Sequence, residues 1–347
     1  MGMVVFVKKS ILVLLIFAAT MGTLQCHKTQ STEPEQKPPE NPDQLSGYLY
    51  MVTRKPTRLI HYSLYGETFY TMIDSSINFI DAAISGNGKM FCYAPNETTL
   101  VVSDISSSTT RQFQLIYPIQ GNTITMNEKG TMVAYVGTYQ NQSALVFYFP
   151  DDQRNQVMAS SDVVDFHYFS PLFSRYGDMI AVSSDSGLFI GKPPRYSLQN
   201  LTVLKIAATD FSPSNTYLSA EKMIFNLNAM QLHPGNFGAG ILFVTDNQVV
   251  FHEDDMRGIV LSDISALHQD VIVGENKLIH TYAVSQYGTN LVYIYRQENR
   301  FLLNFLTIET RELKRVVEMS CTDSTYISKI VWRGRFWPNQ GRKKQGQ

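Results

Sequence analysis

Tryptophan is nearly absent, with two copies, Trp332 and Trp337, in 347 residues. That excludes the propellers whose blades dock through a repeated Trp. Charged residues are sparse at 17%, and the net charge is −1. Removing the first 26 residues takes Lys8 and Lys9 with it and leaves the body near −3. Without a basic excess to neutralise a phosphate backbone, nucleic-acid binding is not expected. Cysteines number three, Cys26, Cys92 and Cys321, and their spacing fits no zinc or redox motif. The seven histidines form no His-x-x-x-His pair, so no metal is expected. A Gly-x-Ser-x-Gly elbow, a Gly-rich phosphate loop and a Trp-bearing Asp box are all missing. No cofactor and no catalytic residue is therefore expected. Convincing helical periodicity is absent as well.

What the chain does have begins with an address. Lys8 and Lys9 precede an unbroken apolar run, Ile11 to Ala19. The run is too short to span a bilayer, which takes about 20 residues. It has the length of a signal-peptide core. Cys26 follows shortly after, and a polar stretch starts at once.

This layout resembles a bacterial lipoprotein signal. In that family the cysteine becomes the first residue of the mature chain and is lipidated. The resemblance implies residues 1–25 as signal peptide and Cys26 as the lipidation site. The tetrapeptide Thr23-Leu24-Gln25-Cys26 departs from the usual lipobox. Gln25 stands where Gly or Ala is usual, and the Leu comes one place late. Ordinary cleavage after Gly22 is the rival reading. Two or three acyl chains, at about 0.8 kcal/mol per buried methylene, would hold the protein on a membrane.

Residues 26–46 then read as a linker. They carry Pro34, Pro38, Pro39 and Pro42 and no aromatic, too little apolar area to offset ordering entropy. Residues 337–347 read as a basic, disordered tail. The body, residues 47–336, alternates short apolar runs with Gly, Asn, Asp and Ser turns, which points to an all-β fold.

The body also repeats. A large apolar residue, Ser or Asn, two turn residues, Gly, one residue and an apolar strand recur at Ile84–Tyr93, Met126–Tyr135, Phe173–Val182, Phe211–Ala220 and Val284–Tyr293. The turn position is held by Gly88, Gly130, Gly177, Asn215 and Gly288. Glycine there supplies φ > 0 between two strands at little steric cost. A third and a fourth strand follow each copy, for example Leu100–Asp104 and Arg111–Ile116. Four strands every 38 to 47 residues is the period of a propeller blade.

The repeat resembles that of TolB-like and related WD40-like β-propellers of bacterial envelopes. Only Pro213 keeps the usual turn proline, so the copies are diverged. The gap from 215 to 288 is too long for one blade, and Gly240–Val244 followed by Gln248–Phe251 reads as a degenerate sixth copy. Tyr48–Thr53, Leu59–Leu64 and Thr68–Ile73 lack a fourth strand, which Ile327–Trp332 can supply. Joined, they close a seventh blade from both termini and leave no open edge. Seven four-stranded blades are expected, with six as the alternative.

Two polar clusters invite chemistry. His252-Glu253-Asp254-Asp255 offers carboxylate oxygens, yet it follows what reads as a third strand, where a solvated turn is expected. The basic run from Arg333 to Arg335 and on to Lys344 reads as a solvated tail before it reads as a lipid contact. Cys92 and Cys321 could pair in an oxidising compartment, but a buried small hydrophobe and an unrelated thiol is the simpler assignment. The expectation is a lipid-anchored module of the cell envelope, on the inner or outer membrane, facing the periplasm or the cell surface. It would bind another envelope protein without catalysis. The alternatives are a lactonase- or glycosidase-like propeller enzyme with a site at the channel mouth, and a carbohydrate-binding module. Carboxylates and histidines converging on one end of the channel would favour the enzyme, and an open aromatic platform would favour sugar.

Overall fold

The computed structural model describes residues 45–333 except 75, 159–170, 193–196, 254 and 275–277. The expected signal peptide, Cys26, most of the linker and residues 334–347 lie outside these. The described residues form 28 strands in seven four-stranded antiparallel sheets and no helix.

Blade I contains β1 (Tyr48–Arg54), β2 (Arg58–Ser63), β3 (Thr68–Ile73) and the last strand, β28 (Tyr326–Arg333). Its order is β28-β1-β2-β3, so the C-terminal strand is the inner one and the termini close the ring. Blade II is β4 (Ala82–Ile84), β5 (Met90–Asn96), β6 (Thr99–Asp104) and β7 (Thr110–Gln114). Blade III is β8 (Thr125–Met126), β9 (Val133–Tyr139), β10 (Gln142–Phe149) and β11 (Arg154–Met158). Blade IV is β12 (Leu172–Phe173), β13 (Ile180–Ser184), β14 (Gly187–Lys192) and β15 (Ser197–Thr202). Blade V is β16 (Ala208–Phe211), β17 (Tyr217–Ala220), β18 (Met223–Asn226) and β19 (Gln231–His233). Blade VI is β20 (Ala239–Phe243), β21 (Gln248–His252), β22 (Gly258–Asp263) and β23 (Gln269–Gly274). Blade VII is β24 (Ile279–Val284), β25 (Asn290–Gln297), β26 (Arg300–Thr307) and β27 (Leu313–Ser320).

The core is not one mass. Each gap between neighbouring blades holds its own buried cluster, seven in all, so most strands are covered on both faces. In β1, Leu49 and Met51 face blade VII, while Tyr50 and Val52 face blade II. That two-sided burial is why the strands read as near-continuous apolar runs rather than as apolar-polar alternation.

The repeat motif makes one hydrogen-bonded turn. The amides of Gly88, Gly130, Gly177, Asn215 and Gly288 donate to the carbonyl three residues back, at 2.8–3.2 Å. Their φ values run from +60° to +77°. The buried hydroxyl of Ser85, Ser174 or Ser285 accepts the amide five residues on, at 2.9–3.1 Å. Asn127 Oδ1 does the same for Met132. Serine or asparagine is therefore required because a strand-end amide would otherwise be buried without a partner.

One expectation is corrected. His252 ends β21, the second strand of blade VI, so the His252–Asp255 segment is a second-to-third-strand turn and does not follow a third strand. The first hairpin of this blade lacks the left-handed residue of the other copies. Without that marker the strand count slips by one.

Candidate functional site

Antiparallel order puts the first-to-second and third-to-fourth strand turns of every blade on one face, which contains the repeat turns. We call it the turn face. The first strands stand side by side around the axis, from β4 through β8, β12, β16, β20 and β24 to β28. The turns at their ends crowd the channel mouth. The Gly86 and Asn87 amides of blade II donate to the Asn127 and Glu128 carbonyls of blade III, at 3.3 and 2.9 Å. A Cβ at Gly86 would meet the Glu128 backbone at 2.9 Å and the Arg175 carbonyl of blade IV at 3.2 Å.

Arg175 spans this mouth. Its guanidinium donates to Asp210 Oδ2 of blade V at 3.2 Å, to the Phe243 carbonyl of blade VI at 2.6 Å and to the Gln286 carbonyl of blade VII at 3.3 Å. Asp210 also accepts the Phe243 amide at 2.9 Å. Arg333, at the end of β28, lies beside Gly88 and Tyr50. Its Nε is buried and has no hydrogen-bond partner. Burial lowers the pKa of Arg333, the neighbouring charge of Arg175 lowers it further, and Asp210 acts the other way. Glu128 is half-buried at the same mouth, and desolvation raises its pKa.

An aromatic track leads outward from the mouth. Tyr50, His61 and Tyr70 are cross-strand neighbours on β1, β2 and β3. His61 lies 5.0 Å from Tyr50, 4.7 Å from Tyr48 and 5.6 Å from Tyr70, centroid to centroid. Tyr48 meets Tyr65 edge-on at 5.8 Å. Tyr287 of blade VII has its hydroxyl pKa raised by partial burial and by the nearby hydroxyls of Tyr65 and Tyr176. Tyr65, Tyr70, Tyr176 and Tyr287 are each at least half exposed. Burial holds the imidazole of His61 down at about 4, so it is neutral at pH 7. Tyr50 donates to the Gly88 carbonyl at 2.9 Å, tying the track to blade II.

The opposite end of the channel is a structural ion cluster. Asp81 is fully buried, accepts the Ile124 amide at 2.8 Å and pairs with Lys329 at 2.6 Å. Lys329 also reaches the carbonyls of Ala82 and Ile124. Blades I, II and III are pinned together there.

The residues singled out in the sequence do not converge. His61, His252 and His280 sit on blades I, VI and VII, and burial lowers the pKa of each. Among the described residues no group of three His, Cys, Asp or Glu could hold a metal. His252 packs edge-on against Tyr282 at 4.6 Å. Cys92 is buried between blades II and III, Cys321 lies at the blade VII edge, and both are free thiols. Asp254, Arg335 and Lys344 lie outside the described residues. Arg333 is corrected from the start of a solvated tail to the end of β28 with its Nε buried, and its nearness to Arg175 of blade IV, like that of Tyr65, Tyr176 and Tyr287, was missed because these residues come from different blades. A local signal existed: the residue before the turn glycine is Tyr in two copies, Tyr176 and Tyr287.

These features define an all-β propeller of seven four-stranded blades. Among solved structures it is similar to TolB from Acinetobacter baumannii, with a TM-score of 0.53 and 14% identity over 84% of this chain and 67% of that one. At that identity the likeness is one of fold. No protein-family model and no curated protein matches the chain.

Proposed function

We propose that the protein is a non-catalytic binding propeller of the bacterial cell envelope, lipid-anchored through Cys26, which docks another envelope protein on its turn face. The aromatic track and the arginines at the mouth carry this reading. Tyr and Arg are the residue types that dominate protein-interface hot spots. Tyr adds contact area at low entropy cost, having two χ angles to fix. Asp210, a carboxylate at the mouth, is held by Arg175 and the Phe243 amide, which suits a structural part better than acid-base work. The open tyrosines also favour a second reading, sugar binding by ring stacking on this face.

A photo-reactive amino acid at position 287, on the turn face, should give discrete crosslinked adducts in intact cells. The same residue at position 116, exposed on the opposite face, should give few. Equal yields from both positions would remove the face assignment. Adducts at 287 that carry glycan and no polypeptide would decide for the second reading. For the anchor, metabolic labelling with a fatty-acid analogue should mark the wild type and spare Cys26→Ala. Equal labelling of both would refute lipidation at this residue.

A further inference from the structure

We infer that the channel mouth on the turn face is a carboxylate-binding pocket in which Arg175 and Arg333 form the receiving pair. The inference rests on the turn face being the docking face. Three observations carry it.

First, Arg333 keeps a donor unused. Its Nε is buried without a hydrogen-bond partner, and its charge is favoured only by the neighbouring Asp210 and Tyr50. A buried, unpaired donor on a charged group is costly, and a ligand acceptor removes that cost. Second, two guanidinium groups share this mouth. The charge of Arg175 disfavours that of Arg333. A partly buried like-charge pair is relieved by an anion between or beside it. Arg175 uses three of its five N–H donors on Asp210, Phe243 and Gln286. Donors remain for a ligand.

Third, the local charge selects the anion. Arg175 and Arg333 share the mouth with two carboxylates, Asp210, already held by Arg175 and the Phe243 amide, and Glu128, whose charge desolvation disfavours, so the surplus there is at most a single positive charge. A planar carboxylate matches that charge and the fork of a guanidinium. A phosphate dianion would exceed it and meet Asp210. The rest of the ligand would lie on Tyr176, Tyr287 and Tyr65. The carboxylate can belong to a small free organic acid or to a polypeptide.

The test titrates the whole protein with N-acetylglycine at constant pH and ionic strength, following tyrosine fluorescence. A saturable change is expected, at least about tenfold weaker with neutral N-acetylglycinamide, the cost of a charge-assisted hydrogen bond. Arg333→Gln should weaken binding by a similar factor. It keeps its fold, because the replaced Nε has no hydrogen-bond partner, and circular dichroism would check this. Arg111→Gln, at an exposed pair with Asp151, should bind as wild type does. Equal binding of acid and amide, or indifference to Arg333→Gln, would overturn the pocket. So would phosphate displacing N-acetylglycine more effectively than acetate does. A short peptide with a free C-terminus that binds tenfold tighter than N-acetylglycine assigns the carboxylate to a polypeptide, and equal affinity assigns it to a small acid. Crosslinking at position 287 that is indifferent to Arg333→Gln would remove the pocket and leave the docking face standing.

Discussion

Deleting residues 325–347 should leave a chain with no cooperative unfolding transition at 25 °C, whereas deleting only 339–347 should leave the melting curve unchanged. The larger deletion removes β28, which is the inner strand of blade I and pairs with β1 from Tyr48↔Arg333 to Arg54↔Tyr326. It takes away Ile327 and Trp332, buried between blades VII and I. Loss of a buried Trp alone costs roughly 3–5 kcal/mol. It also takes Lys329 from Asp81, which stays fully buried beside blades I, II and III. Asp81 then keeps only Arg54, at 3.8 Å, as an ion partner, and because Lys329 is partly exposed the added cost is below the roughly 3–5 kcal/mol of breaking a fully buried pair. Together these approach the roughly 5–15 kcal/mol that holds a typical domain folded. The exposed β1 edge would then template aggregation. Calorimetry of both truncations decides the matter. Identical transitions would mean that the ring does not depend on its terminal strand.

The blade count was legible because a turn's chemistry is local. Five copies of Ser or Asn, then a left-handed residue, then an apolar strand carry their own hydrogen-bonding requirement within six residues. Blade I was legible by subtraction, since three strands at one end and one at the other had no partners. Blade VI shows the limit. Val244-Thr245-Asp246-Asn247 turns without a positive-φ residue, and there the strand bearing His252 was misplaced. The site was not legible for a different reason. Arg175 meets Gln286 across 111 residues, and the hydroxyls of Tyr65 and Tyr176, from two other blades, are near enough to raise the pKa of Tyr287. Such pairings depend on ring closure, and no local pattern encodes them. Asp81 illustrates the same point: in sequence it is one acid in a loop, in the fold a buried tie between three blades.

The turn glycines share a conformation but not an environment, so equal substitutions at them should have unequal costs. A Cβ at Gly88 would meet no atom closer than Arg333 Cβ at 3.3 Å, a tight contact that a shift of a few tenths of an ångström in that side chain relieves. At Gly130 it would strike the Met90 side chain at 2.4 Å, and at Gly177 the Glu128 amide nitrogen at 2.9 Å. At Gly288 it would strike the Val244 carbonyl oxygen at 2.0 Å, which only backbone movement can relieve. Position 215 shows what tolerance looks like. Asn215 sits at φ 60° and turns its side-chain amide to Asp178 Oδ1 at 2.7 Å. Gly88→Asn should therefore cost about 1 kcal/mol or less, since Asn accepts the left-handed region. Gly88→Val should cost about 1–3 kcal/mol, the strain of a β-branched residue held at positive φ. Gly130→Asn should not be cheap despite the tolerant side chain, because Met90 must move. Gly288→Asn should exceed all three, above about 3 kcal/mol, since the first hairpin of blade VII must part from blade VI. Urea denaturation gives the ranking, read as midpoints at a common slope. Equal midpoints for Gly88→Asn and Gly288→Asn would mean that the close approach of the two blades at Val244 is not real. The crowding of turns that builds the channel mouth would lose its support with it.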